Sequence, residues 1–303
     1  MADRFELHDG VRLRVNVQSA HWDEPSLEWT VGTEEGDRYV APILIMATGV
    51  LSTPKIPDIP GIDVFGGELY SSAHWPAAGV DFTGKRVAVI GTGSTGIQII
   101  PEAAKTAARV FAMQRTPSYT LPAHNRPLDE EDQRRVKSDY AAFRRRARTT
   151  VPGAFTDSLD SSALELSPEE REAEYRRHYD YGSPMRFAFT FTDIVVSEEA
   201  NATAREFVSA RIAERVGDPE LAKRMIPTGY HLATRRLCID TGYYETFRQE
   251  NVELVDLLED PIVEITERGI RTAGREIEVD MIVLATGFDA VTGTLRRIDI
   301  RGT

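Results

Sequence analysis

Between residues 11 and 40, apolar and polar positions alternate in two runs: Val11, Leu13, Val15 and Val17, then Leu27, Trp29 and Val31. A period of two places alternate side chains on one face of a strand. The turn-forming stretches "DEPS" and "EEGD" separate the runs, so a β-meander is expected. The pattern then changes. "ILIMATG" (residues 43–49) is a short apolar run closed by small residues, the signature of a strand buried on both faces. "TPKIPDIPG" is rich in proline and predicts an extended linker.

From residue 85 the period shifts. "KRVAVI" predicts a strand, a glycine turn follows, and helical spacing runs to residue 104. "RVFAMQR" (residues 109–115) predicts the next strand, so residues 85–115 begin a βαβ unit. Residues 129–225 read as mostly helical and charged, with Val136, Tyr140, Phe143 and Ala147 on one helical face. Ser167, Pro168 and Glu170 form a capping box with proline at the first helical position. "TAREFVSARIAERV" predicts another amphipathic helix, and "RRRAR" (residues 144–148) a solvated helix face. After residue 251 the meander pattern returns, through "VELVDL", "PIVEITERGIRT" and "EIEVDMIVLATG". "ILIMATG" and "MIVLATG" (residues 281–287) close the two meander blocks alike, a weak internal repeat.

Composition narrows the function. The 303 residues carry a net charge of −12, which argues against nucleic acid or an anionic membrane surface as partner. A phosphate site here must rely on local cations. A single cysteine, Cys238, excludes an intrachain disulfide and a cysteine zinc site, and no metal site is expected. It lies between Leu237 and Ile239 and reads as a small buried apolar residue. The absence of a signal-like start and of a membrane-length apolar run fits a cytoplasmic protein. A monomer is expected.

A buried parallel strand needs strand neighbours and covering helices. Residues 85–115 supply these to the second Ala-Thr-Gly block, whereas residues 1–43 hold no helical period and no glycine fingerprint. The chain therefore reads as a segment of a longer two-dinucleotide protein. The alternative is a complete small α/β protein with an unusual opening meander.

Gly91, Gly93 and Gly96 fit G-x-G-x-x-G between a strand and a helix. The first permits the tight turn, the second admits a pyrophosphate to backbone N–H groups, and the third lets helix and strand pack closely. The helix N-terminus adds partial positive charge. At the end of the next strand, where an acidic residue would bind a ribose 2′-hydroxyl, the chain has "MQRTPS". Arg115 and Thr116 suit a 2′-phosphate instead, which points to NADP(H).

"FGGELYSSAHWP" (residues 65–76) resembles the F-x-G-x-x-x-H-x-x-x-W-P fingerprint of type I Baeyer–Villiger monooxygenases. Phe65, Gly67, Trp75 and Pro76 match, the histidine position holds Ser71, and His74, read as a surface residue, stands three positions later. "DFTGKRVAVIGTGSTGIQIIP", "QRTPSYTLPAHNRPL", "ATRRLCIDTGYYETFRQENVELVD" and "DMIVLATGFDAVTGTL" are similar to further stretches of that family, so the resemblance spans essentially the whole chain.

The resemblance implies an α/β, two-dinucleotide-binding-domain flavoprotein. A Rossmann-like NADP domain with a helical insertion would accompany a partial FAD domain made of β-meander. It divides the chain into residues 1–52 (FAD domain), 53–80 (linker with the fingerprint), 81–128 and 226–287 (NADP(H) domain), 129–225 (helical insertion) and 288–303 (return to the FAD domain). The family's FAD glycine fingerprint would precede this region, and its C-terminal part would follow. In the family NADPH reduces FAD, the reduced flavin takes up O₂ as a C4a-peroxyflavin, and a ketone becomes an ester or lactone. Arg236 matches the active-site arginine, whose charge would stabilise the peroxide. Arg235 stands where a lysine usually meets the 2′-phosphate. Thr92, Ser94, Thr95 and Gln98 match positions around the pyrophosphate, and Thr48-Gly49 and Thr286-Gly287 match two interdomain hinges. His231 lies near Arg235-Arg236 in sequence, and Asp240, Tyr243 and Tyr244 match as structural residues. Serine at position 71 puts efficient coupling in doubt. Two other functions are weighed: nitrogen or sulfur oxygenation by a related flavin monooxygenase, and a non-catalytic NADP(H)-binding remnant. Residues 1–303 alone are expected to lack ketone oxygenation, because the FAD site is incomplete.

Overall fold

The structure is a computed structural model that describes residues 2–125, 127–150, 153 and 159–302. It divides into two compact units, Met1–Ile56 with Gly287–Thr303, and Pro57–Thr286.

The alternating run builds the first unit from residue 17 onward, whereas Val11 and Leu13, expected in the meander, are exposed and lie in no strand. Strands β1 (Val17–Asp23), β2 (Glu28–Thr33) and β3 (Arg38–Ala41) form an antiparallel meander. Trp22 and Trp29 face each other across β1 and β2 with ring centroids 5.6 Å apart, a cross-strand pair that fixes register. Strand β14 (Asp299–Arg301) adds parallel to β1, and His21 Nε2 lies 2.9 Å from Asp299 Oδ2. The strand expected at residues 43–49 does not form. Ile43 and Ile45 are 75% and 82% exposed, and no described strand runs beside them. An apolar run becomes a buried strand only where a ladder partner takes its N–H and C=O groups. The resemblance between the two Ala-Thr-Gly blocks is therefore one of sequence alone.

The second unit is built on a parallel sheet of order β4-β13-β5-β6-β9. Its strands are β4 (Glu68–Ser71), β5 (Arg86–Ile90), β6 (Arg109–Gln114), β9 (Val252–Asp256) and β13 (Met281–Leu284). Helix α1 (Ser94–Ala104) crosses from β5 to β6, as the glycine turn predicts. The expected linker thus contributes the edge strand β4, and "VELVD" joins the parallel sheet instead of a meander. Both faces of β5 are covered. Val87 and Val89 pack with Ile97 and Ile100 of α1. Ala88 and Ile90 pack with Ile265, Ile270 and Ile277 of the antiparallel sheet β10 (Ile262–Thr266), β11 (Gly269–Thr272) and β12 (Glu276–Glu278).

Between β6 and β9 lie the strands β7 (Thr120–Pro122) and β8 (Cys238–Asp240), which pair in parallel, and most of the helices. Part of the expected helical insertion, residues 151–152 and 154–158, lies outside the described residues. The single helical face expected through Val136 and Ala147 is split between α2 (Glu130–Ser138) and α3 (Tyr140–Arg148). Asp139 breaks the run because its carboxylate accepts from Ala142 N and caps α3. The capping box at Ser167 starts α4 (Pro168–Tyr181) as expected. Helices α5 (Pro184–Ala188), α6 (Glu198–Val216) and α7 (Pro219–Met225) complete the layer, and α8 (Tyr243–Thr246) follows β8. Tyr175, Phe187, Phe191 and Phe207 pack ring against ring at its centre.

One buried carboxylate ties this layer to the sheet side. Asp240 accepts from Arg215 of α6 at 2.6 and 3.0 Å, from Thr120 Oγ1 of β7, and from Tyr243 N of α8. Glu245 takes most of the rest of the guanidinium; burial works against the charge on Arg215, and the two carboxylates outweigh it and keep the group protonated. Removing one partner strands the other without solvent. Asp240→Ala is therefore expected to destabilise the protein by about 3–5 kcal/mol in chemical denaturation. A loss below about 1 kcal/mol, the level of exposed pairs, would show that Asp240 does not anchor the helical layer.

Candidate functional site

Strand β5 delivers the chain into a turn where each glycine has its own reason. Gly91 sits at φ +109°, and a Cβ there would lie 2.6 Å from the Ala285 carbonyl oxygen of the neighbouring strand segment. A Cβ on Gly96 would overlap the Gly91 carbonyl oxygen, so α1 can approach β5 only with glycine at this position. Gly93, the residue before α1, differs from both. No atom lies within 4 Å of its Cβ position, and the space before the helix N-terminus is open. The first turn of α1 carries no acidic residue to offset its partial positive charge.

The turn is fastened to the loop after β6. Buried Thr92 donates from Oγ1 to the Thr116 carbonyl at 3.4 Å, and Ser118 Oγ donates to the Thr92 carbonyl at 3.0 Å. Ser118 carried no signal in the sequence, since its partner is a backbone carbonyl. Arg115 is exposed immediately past β6 and has no ion pair or hydrogen bond among the described residues. The strand itself ends in Gln114, whose amide donates to the Arg224 carbonyl, so no carboxylate occupies the ribose-binding position of the strand end.

A second loop reaches the same helix end. Ser94 Oγ lies 3.1 Å from Cys238 Sγ, and Cys238 follows Arg235 and Arg236 closely. Arg235 is exposed with its guanidinium 4.6 Å from the Tyr230 ring centroid. Arg236 is also exposed, and its carbonyl accepts from the Cys238 thiol at 3.7 Å. Burial pushes the Cys238 thiol above its usual range, with the Ser94 hydrogen bond opposing the shift. Cys238 is thus the buried neutral side chain that its neighbours suggest.

Other sequence candidates fall differently. Thr95 is half-buried, and exposed Gln98 donates its amide to the Ser94 carbonyl of its own helix at 2.7 Å. His231 Nδ1 accepts from Arg205 at 3.2 Å. Thr286 follows β13 beside Gly91, and the boundary between the units falls between Thr286 and Gly287. Thr48, Gly49 and Gly287 belong to the first unit, where Gly49 and Gly287 adopt φ +74° and +81°. Ser71 Oγ accepts from Ala73 N and caps a short turn, His74 is exposed, and Trp75 packs near Tyr70 and Phe82. Asp240, Tyr243 and Tyr244 are buried. A cavity of about 510 Å³ elsewhere in the second unit, lined by Tyr179, Arg215 and Glu245 among others, includes no residue of the glycine turn.

These residues fit a pyrophosphate dinucleotide with an added phosphate: an open helix N-terminus, a glycine without a neighbour, and unpaired arginines. FAD does not find an equivalent. The first unit holds a four-stranded sheet but no α-helix among the described residues, hence no strand–turn–helix cradle. No described helix is long and apolar enough to cross a membrane.

The fold defines an α/β protein of the two-dinucleotide-binding type. The flavin-binding monooxygenase-like family model matches residues 1–131. Cyclohexanone 1,2-monooxygenase of an Acinetobacter species is 43% identical over all of this chain and 55% of its own length. Phenazine N-monooxygenase PhzNO1 of Lysobacter antibioticus is 38% identical over all of this chain and 56% of its own. The crystal structure of OTEMO in complex with FAD and NADP superposes with a TM-score of 0.94 at 39% identity, over all of this chain and 57% of that one. The chain is similar to flavin-binding monooxygenases, Baeyer–Villiger enzymes among them. It spans a little over half the length of the relatives it matches.

Two outcomes test the glycine roles. Gly93→Ala should keep wild-type thermal stability and weaken dinucleotide binding at least about tenfold, whereas Gly96→Ala should lower stability itself. Equal stability losses in both would refute the distinction. Cys238 should react with iodoacetamide far more slowly than free cysteine at pH 8 and reach that rate only on unfolding. Rapid labelling of the native protein would contradict its burial.

Proposed function

We propose that this chain supplies the NADP(H)-binding part of a Baeyer–Villiger monooxygenase that inserts one oxygen of O₂ into a ketone, giving an ester or lactone. The observation that carries the reading is an open glycine turn beside an unpaired Arg115, with no carboxylate at the end of β6. NADPH would contribute a hydride when bound. Gly91, Thr92, Gly93 and Ser94 would hold its pyrophosphate at the α1 N-terminus, and Arg115, Thr116 and Arg235 its 2′-phosphate. Thr95 and Gln98 would lie on the first turns behind the phosphates, with the Gln98 amide stiffening that end of the helix. Arg236, exposed on the neighbouring loop, would supply a cation near the reacting atoms. Thr48-Gly49 and Thr286-Gly287 would act as hinges, their glycines supplying left-handed backbone. The described residues offer the flavin no cradle.

Oxygenation at nitrogen is the second reading, supported by the phenazine N-monooxygenase among the relatives. Both share the same cofactor site, so the first test addresses the cofactor. A charge-assisted contact contributes about 1.5–3 kcal/mol, so Arg115→Ala should weaken NADP⁺ about ten- to a hundredfold in calorimetric titration. NAD⁺ binding should change less than about twofold. Equal weakening of both would remove the 2′-phosphate role. Products from a cyclic ketone and from a phenazine, assayed with the same protein, separate the two reactions.

A further inference from the structure

Arg115 and Arg235 lie on different loops, yet one side chain links those loops. Tyr230 Oη donates to the Pro117 carbonyl at 3.0 Å and accepts from Tyr119 N at 3.4 Å. Both partners belong to the segment that follows Arg115 and Thr116. The opposite part of the same side chain, its ring face, supports the Arg235 guanidinium at 4.6 Å. The Tyr119 ring meets the Tyr230 ring edge-on at 5.4 Å, and Tyr119 Oη donates to the Pro227 carbonyl at 2.8 Å. Tyr230 is therefore held on two sides.

The kind of support matters. A carboxylate would fix Arg235 equally well, but it would neutralise the cation and compete with any phosphate. An aromatic face attracts the guanidinium through its quadrupole and leaves the N–H donors at the rim unspent. In a chain of net charge −12, uncompensated arginines are what gives a phosphate a reason to bind.

We propose that Tyr230 is the positioning residue for NADP(H) selectivity: its ring holds Arg235, and its hydroxyl holds the Arg115–Thr116 loop, so that two cations from separate loops converge on one 2′-phosphate. This rests on the reading of the glycine turn as an NADP(H) site and adds how the discrimination is built. It assigns Tyr230 no contact with the cofactor.

The test is calorimetric titration of wild type, Tyr230→Phe, Tyr230→Leu, Arg235→Ala and the double variant Tyr230→Leu/Arg235→Ala with NADP⁺ and with NAD⁺. Tyr230→Leu should weaken NADP⁺ about tenfold and NAD⁺ less than about twofold. Tyr230→Phe keeps the ring, and should keep most of the discrimination while losing a few-fold in NADP⁺ affinity. In the double variant the Leu substitution should add little to Arg235→Ala, because the ring acts through Arg235. A wild type that binds NADP⁺ no tighter than NAD⁺ would overturn the cofactor reading itself. Discrimination intact in wild type and in Tyr230→Leu would overturn only the role of Tyr230. So would equal weakening of both nucleotides, the mark of a merely structural residue, or full additivity in the double variant. If Tyr230→Leu does not fold, Tyr230→Phe and Arg235→Ala decide: unchanged discrimination in both overturns the proposal.

Discussion

Helix α1 approaches strand β5 so closely that Gly96 has no room for a methyl group against the Gly91 carbonyl. Much of the site follows from that contact. It sets the helix N-terminus directly over the end of the parallel sheet and turns its unpaired N–H groups toward open space at Gly93. The contact is possible because β5 is buried on both faces, between α1 on one side and the β10–β12 sheet on the other. A strand covered on one face only would leave the turn free to shift, and the three glycines would lose their separate roles.

Around this fixed end the protein uses two kinds of polar tie. In the helical layer, buried Asp240 and half-exposed Glu245 both engage Arg215, and the charges are consumed in holding structure together. Near the glycine turn the ties are neutral: Thr92 to Thr116, Ser118 to Thr92, Ser94 to Cys238, Tyr230 to Pro117. Neutral ties position the loops without spending their cations. Arg115, Arg235 and Arg236 stay exposed and without carboxylate partners among the described residues, despite the acidic balance of the chain.

How much of this could be read from the sequence depended on the range of each interaction. The strand–turn–helix at residues 86–104 was legible because every cause is local: apolar run, three glycines, helical period. The capping box at Ser167 was legible for the same reason. Residues 43–49 misled, since their apolar pattern states a preference for burial but not whether a strand neighbour exists. The helix break at Asp139 was missed because a cap outweighed a periodic face of only four apolar positions. The roles of Ser118 and Tyr230 were invisible. Their hydrogen-bond partners are backbone groups up to 113 residues away, and a backbone group leaves no trace in a residue pattern. Arg115 and Thr116 were legible from their place after the second strand, whereas Arg235 and Arg236 were named through resemblance, and the structure adds what holds the loops in place.

We propose that uncompensated cations beside an open helix end select a phosphorylated dinucleotide. Titration of the unmodified protein with NADP⁺ and NAD⁺ at rising ionic strength tests it most directly. NADP⁺ should bind more tightly than NAD⁺, with the gap between the two narrowing as salt screens the extra phosphate. Equal affinities, or a gap indifferent to salt, would contradict it.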